Sequence, residues 1–338
     1  MKPFKKIVRF SINRNSGGAN YDAHIDEALK KKIRDLSYEV IEVKNSELLP
    51  RLLAIIFFWF RAQYILIFGN INIAIISPEM MLIIPKKVSV ISIAHHYDPS
   101  VFKGFKQLYV KIYHWFFIIQ KKQVDIVISC SKYWSNFYKQ KGFKNTITIY
   151  NGYDIQSMDR SIVSLNKDSV LKKYNLVSNE YLHLGKFAVG KGQKKVFKSL
   201  RDFGLPMIAT TPAKVSTFNA ANEVHLINAD YDEYNILLKN AKAVICMSEL
   251  KEGWCRVLHE AAIHSTPILG SGVAGMKELL DIGGFKSSTD DSLRNDLTSI
   301  IQEGSLSNDT VKLFRSFTLE KFNIAWQRCV NELLNTKD

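Results

Sequence analysis

The chain has 338 residues, 46% of them hydrophobic, which is more than one core comfortably holds, so two domains of about 150 residues each are expected. Its four cysteines, Cys130, Cys246, Cys255 and Cys329, show neither C-x-x-C nor zinc-finger spacing, which argues against a metal cage or disulfide framework and for a reducing, cytoplasmic setting. The formal charge of +14 is uneven: residues 1–150 hold 23 basic and 10 acidic side chains and the remainder 23 and 22, so the first half faces either something anionic or plain solvent.

From the N-terminus, no secretory signal is visible, and Met1–Asn15 runs straight into a strand-like segment. The first half predicts strands near 6–12, 38–43, 63–68, 88–94, 124–129 and 146–149, with helices at roughly 20–36, 46–60, 105–122 and 131–141. Leu52–Phe60 and Tyr64–Phe68 are apolar on either side of Arg61. A spanning helix wants about 20 apolar residues without a central charge, so a buried helix followed by a buried strand is expected. Turn residues gather at Asn151-Gly152-Tyr153-Asp154, read as a hinge. Beyond a polar stretch to Asn179, strands are expected near 181–185, 206–209, 224–228, 243–247 and 267–270. Helices are expected near 193–203, 231–240, 255–264 and 275–281, then a polar segment Ser287–Asp309 and a terminal helix over about 310–335. Strands separated by helices of this size imply right-handed crossovers and parallel sheets. The fold class is α/β: two Rossmann-like, doubly wound domains, 1–150 and 151–310, with 311–338 returning toward the first.

The strongest chemical signal is Glu252-Gly-Trp-Cys-Arg-Val-Leu-His-Glu260-Ala261. A helix starting about Gly253 or Trp254 would offer unpaired N–H groups and a positive dipole end to a diphosphate. Glu260, about two turns in, would accept charge-assisted hydrogen bonds from a diol. A second motif, Leu184-Gly-Lys186-Phe-Ala-Val-Gly-Lys191-Gly192, sits where a first strand hands over to a first helix, the ligand crevice of such sheets. Ser16-Gly17-Gly18 allows close backbone approach, or simply a strand-to-helix turn. Ile93-Ala-His95-His96-Tyr97-Asp98 ends a strand without metal-ligand spacing. Finally, Val101–Lys122 interleaves aromatics with Lys103, Lys106, Lys111, Lys121 and Lys122. That pattern suits a membrane interface, where each lysine is worth about 1 kcal/mol, or single-stranded nucleic acid, or a core helix with a solvated rim.

The segment Ala243–Leu280 resembles the donor-site signature of GT-B-fold retaining glycosyltransferases, the "glycosyl transferases group 1" or family 4 kind. The resemblance rests on Ser248, Glu252-Gly253-Trp254, Glu260-Ala261, Thr266-Pro267, and Gly275 with Glu278, in that order. It extends over residues 6–335 and implies two domains facing a cleft and transfer of a sugar from a nucleotide-diphosphate donor, UDP- or GDP-linked, with retention. It implies no metal and no cofactor beyond the sugar nucleotide as co-substrate. Catalytic residues would be His95 (His96 as the alternative), Glu252, Lys186 and Lys191; Gly17, Gly18, Gly253, Trp254, Cys255 and Glu260 would bind the donor. The family more often has arginine at Lys186, and lysine lacks the bidentate fork. The implied acceptor is a glycan or lipid-linked molecule of surface polysaccharide or glycolipid synthesis. The basic first domain would contact the anionic inner face of the cell membrane.

Three rivals remain at this level. Another GT-B sugar-nucleotide enzyme, such as an epimerase or phosphorylase, would share the fold, as would a catalytically silent partner. A basic nucleic-acid-binding protein would explain a pI near 9.4 but not two glutamates at a phosphate-binding helix start, so no nucleic acid is expected.

Overall fold

The computed structural model describes residues 5–12, 17–30, 36–43, 51–188, 190–211 and 224–335. They fall into two compact units, Met1–Gly152 with Leu319–Asp338, and Tyr153–Thr318.

Unit 1 is built from β1 (Lys5–Ser11), α1 (Gly17–Lys30), β2 (Leu36–Glu42), α2 (Arg51–Phe68), β3 (Ile73–Ile76) and β4 (Ser89–Ile93). It continues with α3 (Phe105–Ile119), β5 (Ile126–Ser129), α4 (Lys132–Gln140) and β6 (Thr146–Thr148). The six strands form one parallel sheet in the order β2-β1-β3-β4-β5-β6. Ile73–Ile76 are all buried, as a parallel strand covered on both faces requires. The β1-to-β2 crossover runs opposite along the sheet to those that follow. Right-handedness therefore sets α1 on one face and α2, α3 and α4 on the other.

Two expectations fail here. Residues 63–68 are not a strand but the second half of the single helix α2, and the strand is β3, which was not anticipated. A continuous apolar run carries no period that separates strand from helix; the helix ends where Gly69 N–H donates to the Ile65 carbonyl at 2.8 Å. Residues 46–50 and 31–35 of the expected helices lie outside the described residues.

Unit 2 opens with α5 (Ile155–Ser164) and α6 (Lys167–Lys173), in a stretch read only as polar. Asp154 caps α5 by accepting from Ser157 N–H at 3.0 Å. Then follow β7 (Leu182–Lys186), α7 (Gln193–Leu200), β8 (Met207–Thr210), β9 (His225–Ile227), α8 (Tyr231–Lys239) and β10 (Ala243–Cys246). After these come α9 (Arg256–Ile263), β11 (Ile268–Gly270), α10 (Gly275–Ile282), α11 (Leu293–Glu303) and α12 (Asn308–Arg315). The sheet is parallel, in the order β11-β10-β7-β8-β9. Leu184, Val196, Ala209, Ile245 and Leu297 form its central core.

The helix expected over 310–335 is two helices, α12 and α13 (Leu319–Asn335). The chain extends between them so that Tyr153 N–H reaches the Phe317 carbonyl at 3.0 Å. In unit 1, α13 packs on α1: Trp326 is fully buried, and the Gln327 amide donates to the Ala28 carbonyl at 2.8 Å.

Candidate active site

In unit 2, β8 and β9 lie to one side of β7 and β10 and β11 to the other, so the switch point falls between β7 and β10. Two loops leave the carboxyl ends of these strands, and they are locked together. Lys191 Nζ pairs with Glu252 Oε1, and Glu249 N–H donates to the Gly190 carbonyl at 2.9 Å. Gly192 has φ +76°, and a Cβ there would lie 1.9 Å from the Met247 carbonyl oxygen, so only glycine fits this crossing. A third loop closes from β11: Gly275 N–H donates to the Glu252 carbonyl at 3.0 Å, and a Cβ on Gly275 would sit 1.9 Å from the Gly253 oxygen. Burial disfavours the Lys191 charge, but the Glu252 carboxylate outweighs it and raises the ammonium's pKa. Lys186 ends β7 with its side chain exposed.

The helix after this loop starts later than the sequence suggested. α9 begins at Arg256, with Cys255 at the N-cap, because Glu252 is held in an isolated parallel bridge with Ala274. Trp254 is buried, its indole N–H donating to His259 Nδ1 at 3.2 Å. Hydrogen bonding to the free Cys255 thiol, together with burial, pushes the Cys246 pKa up. Trp254 and Cys255 thus bring backbone, not side chains, to the loop.

Glu260 lies one turn into α9, not two. Its Oε1 accepts from Arg256 at 3.0 Å and its Oε2 from the Tyr234 hydroxyl at 2.9 Å. The Arg256 guanidinium in turn lies 4.8 Å from the centre of the Tyr153 ring. A carboxylate has about four lone-pair sites, so Glu260 keeps acceptor capacity beyond these two partners. Sequence reasoning missed this surround. Arg256 was findable as an i,i+4 partner of Glu260, but Tyr153 and Tyr234 are remote in sequence and gave no signal.

In unit 1, Gly17 and Gly18 open α1, while Ser16 lies outside the described residues. His95 follows β4 and packs edge-on against Tyr21, ring centres 4.7 Å apart, with Nε2 4.0 Å from Asp22 Oδ1. Asp22 also lies 3.3 Å from Arg9, which grips Asp26 with two hydrogen bonds of 2.7 and 2.5 Å. Burial works against a charged His95, but Asp22 and Cys130 outweigh it and push the imidazole up to about 10. His96 is exposed. Among the described residues, no group of three or more His, Cys, Asp or Glu is placed to hold a metal ion.

Comparison with known proteins adds the fold. No protein-family model and no curated protein sequence matches the chain. Solved structures do. The sucrose-phosphate synthase of Thermosynechococcus elongatus superposes with a TM-score of 0.74 at 13% identity, over 98% of this chain and 100% of that one. Anabaena HepE in complex with UDP and glucose gives 0.70 at 15%, over 97% and 100%. The UDP-N-acetylglucosamine 2-epimerase of Rickettsia bellii gives 0.64 at 11%, over 98% and 98%. The chain has the two parallel-sheet, Rossmann-like domains of GT-B proteins.

Proposed function

We propose that this chain is a glycosyltransferase that moves a sugar from a nucleotide-diphosphate donor to a glycan or lipid-linked acceptor, with retention and without a metal. The observation that carries the reading is the Lys191–Glu252 pair at the switch point of unit 2. A partly buried ammonium at this crevice is placed to balance a diphosphate, and Lys186, at the end of the neighbouring strand, adds a second cation. Glu252, released from Lys191 by the donor, orients the transferred sugar. Gly253, Trp254 and Cys255 present backbone N–H groups, and Glu260, steadied by Arg256 and Tyr234, takes the ribose hydroxyls. In unit 1, His95 is suited to hydrogen-bond a sugar hydroxyl, and Gly17 and Gly18 let backbone approach a ligand closely. HepE, which shares the fold, was captured with UDP and glucose, which supports a sugar nucleotide as the ligand.

The family 4 assignment follows from the ordered motif Ser248 to Glu278. The excess positive charge of residues 1–150 suits an anionic or membrane-held acceptor and peripheral contact with an anionic membrane, as in surface polysaccharide or glycolipid synthesis. A panel of UDP- and GDP-sugars in a thermal-shift assay tests the donor site. At least one donor is expected to stabilise the parent protein, and Glu260→Ala to abolish that shift. No shift with any donor, or equal transfer by Glu260→Ala, overturns the assignment. Turnover of a UDP-sugar to its epimer without acceptor decides for an epimerase instead.

A further inference from the structure

The second helix of unit 1 is apolar around most of its circumference, a composition that soluble proteins bury. Only one side of it is covered. Phe58, Ala62 and Leu66 face the interior, whereas Phe57, Phe60, Tyr64 and Phe68 form a stripe at i, i+3, i+7 and i+11 that is 63–69% exposed. α3 repeats the arrangement. Val110, His114 and Phe117 are buried, and Phe105, Leu108, Ile112, Trp115 and Ile119 run down the outer side, Phe105 at 82% exposure.

The two stripes belong to one surface. Both helices lie on the same face of the sheet by the handedness of their crossovers. The segment after β3 is clamped to both: Gln63 on α2 bonds Ile83 N–H and carbonyl at 2.8 and 2.9 Å, and Gln120, just after α3, bonds Ile84 N–H and the Leu82 carbonyl at 2.8 and 3.0 Å. Between the clamps, Ile83 points outward, 53% exposed, and continues the apolar patch.

The charge around this patch is predominantly positive. Residues 51–124 contain nine Lys and Arg and two acidic residues. Of the two, Asp98 is buried, whereas Arg61, Lys86, Lys87, Lys103, Lys106 and Lys111 are exposed. A two-fold contact with a second copy would set these cations against their own kind, so a self-complementary interface is disfavoured. An anionic bilayer meets both demands: its acyl boundary takes the aromatic stripes and its head groups the lysines. Among the described residues no helix is long and apolar enough to cross a membrane, so the helices lie along the surface rather than through it.

We propose that α2, α3 and the Gln-clamped segment between them are a membrane-docking face that lies on anionic lipid, with Phe60 and Trp115 among the inserted side chains. The proposal rests on the peripheral contact proposed above and gives it a surface; the donor residues are elsewhere.

The full chain is sedimented with vesicles of phosphatidylcholine alone or mixed with phosphatidylglycerol. Binding to the mixed vesicles is expected, weakened roughly tenfold on neutral vesicles or in high salt. Phe60→Ser with Trp115→Ser should lower binding by about tenfold or more, and Lys106→Glu with Lys111→Glu by a similar factor. Both double variants should keep the parent melting temperature. In brominated lipid the fluorescence of the parent should be quenched, and Trp115→Phe should lose most of that quenching. No binding to mixed vesicles overturns the membrane contact itself. Binding that both double variants retain overturns this face while leaving the contact in place. A parent dimer that Trp115→Ser converts to monomer, with no vesicle binding, assigns the face to a second copy and overturns the proposal.

Discussion

Unit 2 draws charges inward and matches them: Lys191 with Glu252, and Arg256 with Glu260. Among its described residues, unit 1 buries such a match where Arg9 meets Asp22 and Asp26, but across α2 and α3 it leaves aromatic rings outside among lysines and arginines. Buried pairs cost desolvation and are retained where geometry matters; exposed apolar surface is retained where something covers it. The two units thus differ in what they bury and what they expose; one is proposed to hold a compact polar ligand and the other to meet a broad surface.

The comparison can be broken in four places. The largest effect is expected inside unit 1, away from its bare face. Trp326→Ala, which empties a fully buried site between α13 and α1, should cost about 3–5 kcal/mol in chemical denaturation. A loss below about 1 kcal/mol would mean that unit 1 is loosely packed throughout, and the contrast would dissolve. Next, Lys191→Met should lower kcat about 100- to 1,000-fold with any donor that is turned over, as expected for removing a preorganised group from developing charge; unchanged kcat would remove unit 2's inward charges from function.

Third comes pH. In unit 2, burial lowers His183 to about 4, His259 to about 3 and His264 to about 4. Their folded pKa values lie below the unfolded value of about 6.5, so unfolding takes up protons as the pH falls. Each should remove up to about 1.4 kcal/mol of stability per pH unit between pH 6.5 and its folded value. His95 has the opposite sign: its raised pKa contributes fully below about 6.5, and the contribution is lost as pH rises toward 10. Denaturation midpoints at pH 5, 7 and 9 should show unit 2 weakening on the acid side; a flat acid limb would mean that the three imidazoles are not held neutral. The geometry agrees for His259, whose Nδ1 accepts from Trp254 while Nε2 donates to the Phe314 carbonyl at 3.0 Å. The smallest effect belongs to Phe60→Ser, an exposed position that should shift stability by less than about 0.5 kcal/mol; a larger loss would show its ring to be packing against the fold.

Most of the fold was legible in the sequence because parallel strands buried on both faces read as short apolar runs between amphipathic helices. Legibility failed where that rule loses its contrast. α2 is apolar around most of its circumference, so its end resembled a strand, and four-residue β3 was hidden behind it. α11 lay in a segment judged by polarity alone, although Leu293 and Leu297 recur at helical spacing. In the candidate site, the local order Glu252-Gly253 to Glu260 was visible. The partners that hold Glu260, Tyr234 and the ring beneath Arg256, are brought in by tertiary packing from 26 residues upstream and beyond, which no local pattern records.

Unit 2 is one unbroken stretch, Tyr153–Thr318, whereas unit 1 needs both ends of the chain, because α13 supplies Phe322 and Trp326 against Tyr21. During synthesis the second unit can therefore close first. The earlier-made sheet waits with the outer side of α1 bare until α13 has been made. A chain cut just before Leu319 would keep the whole of the one unit and strip the other of its covering helix.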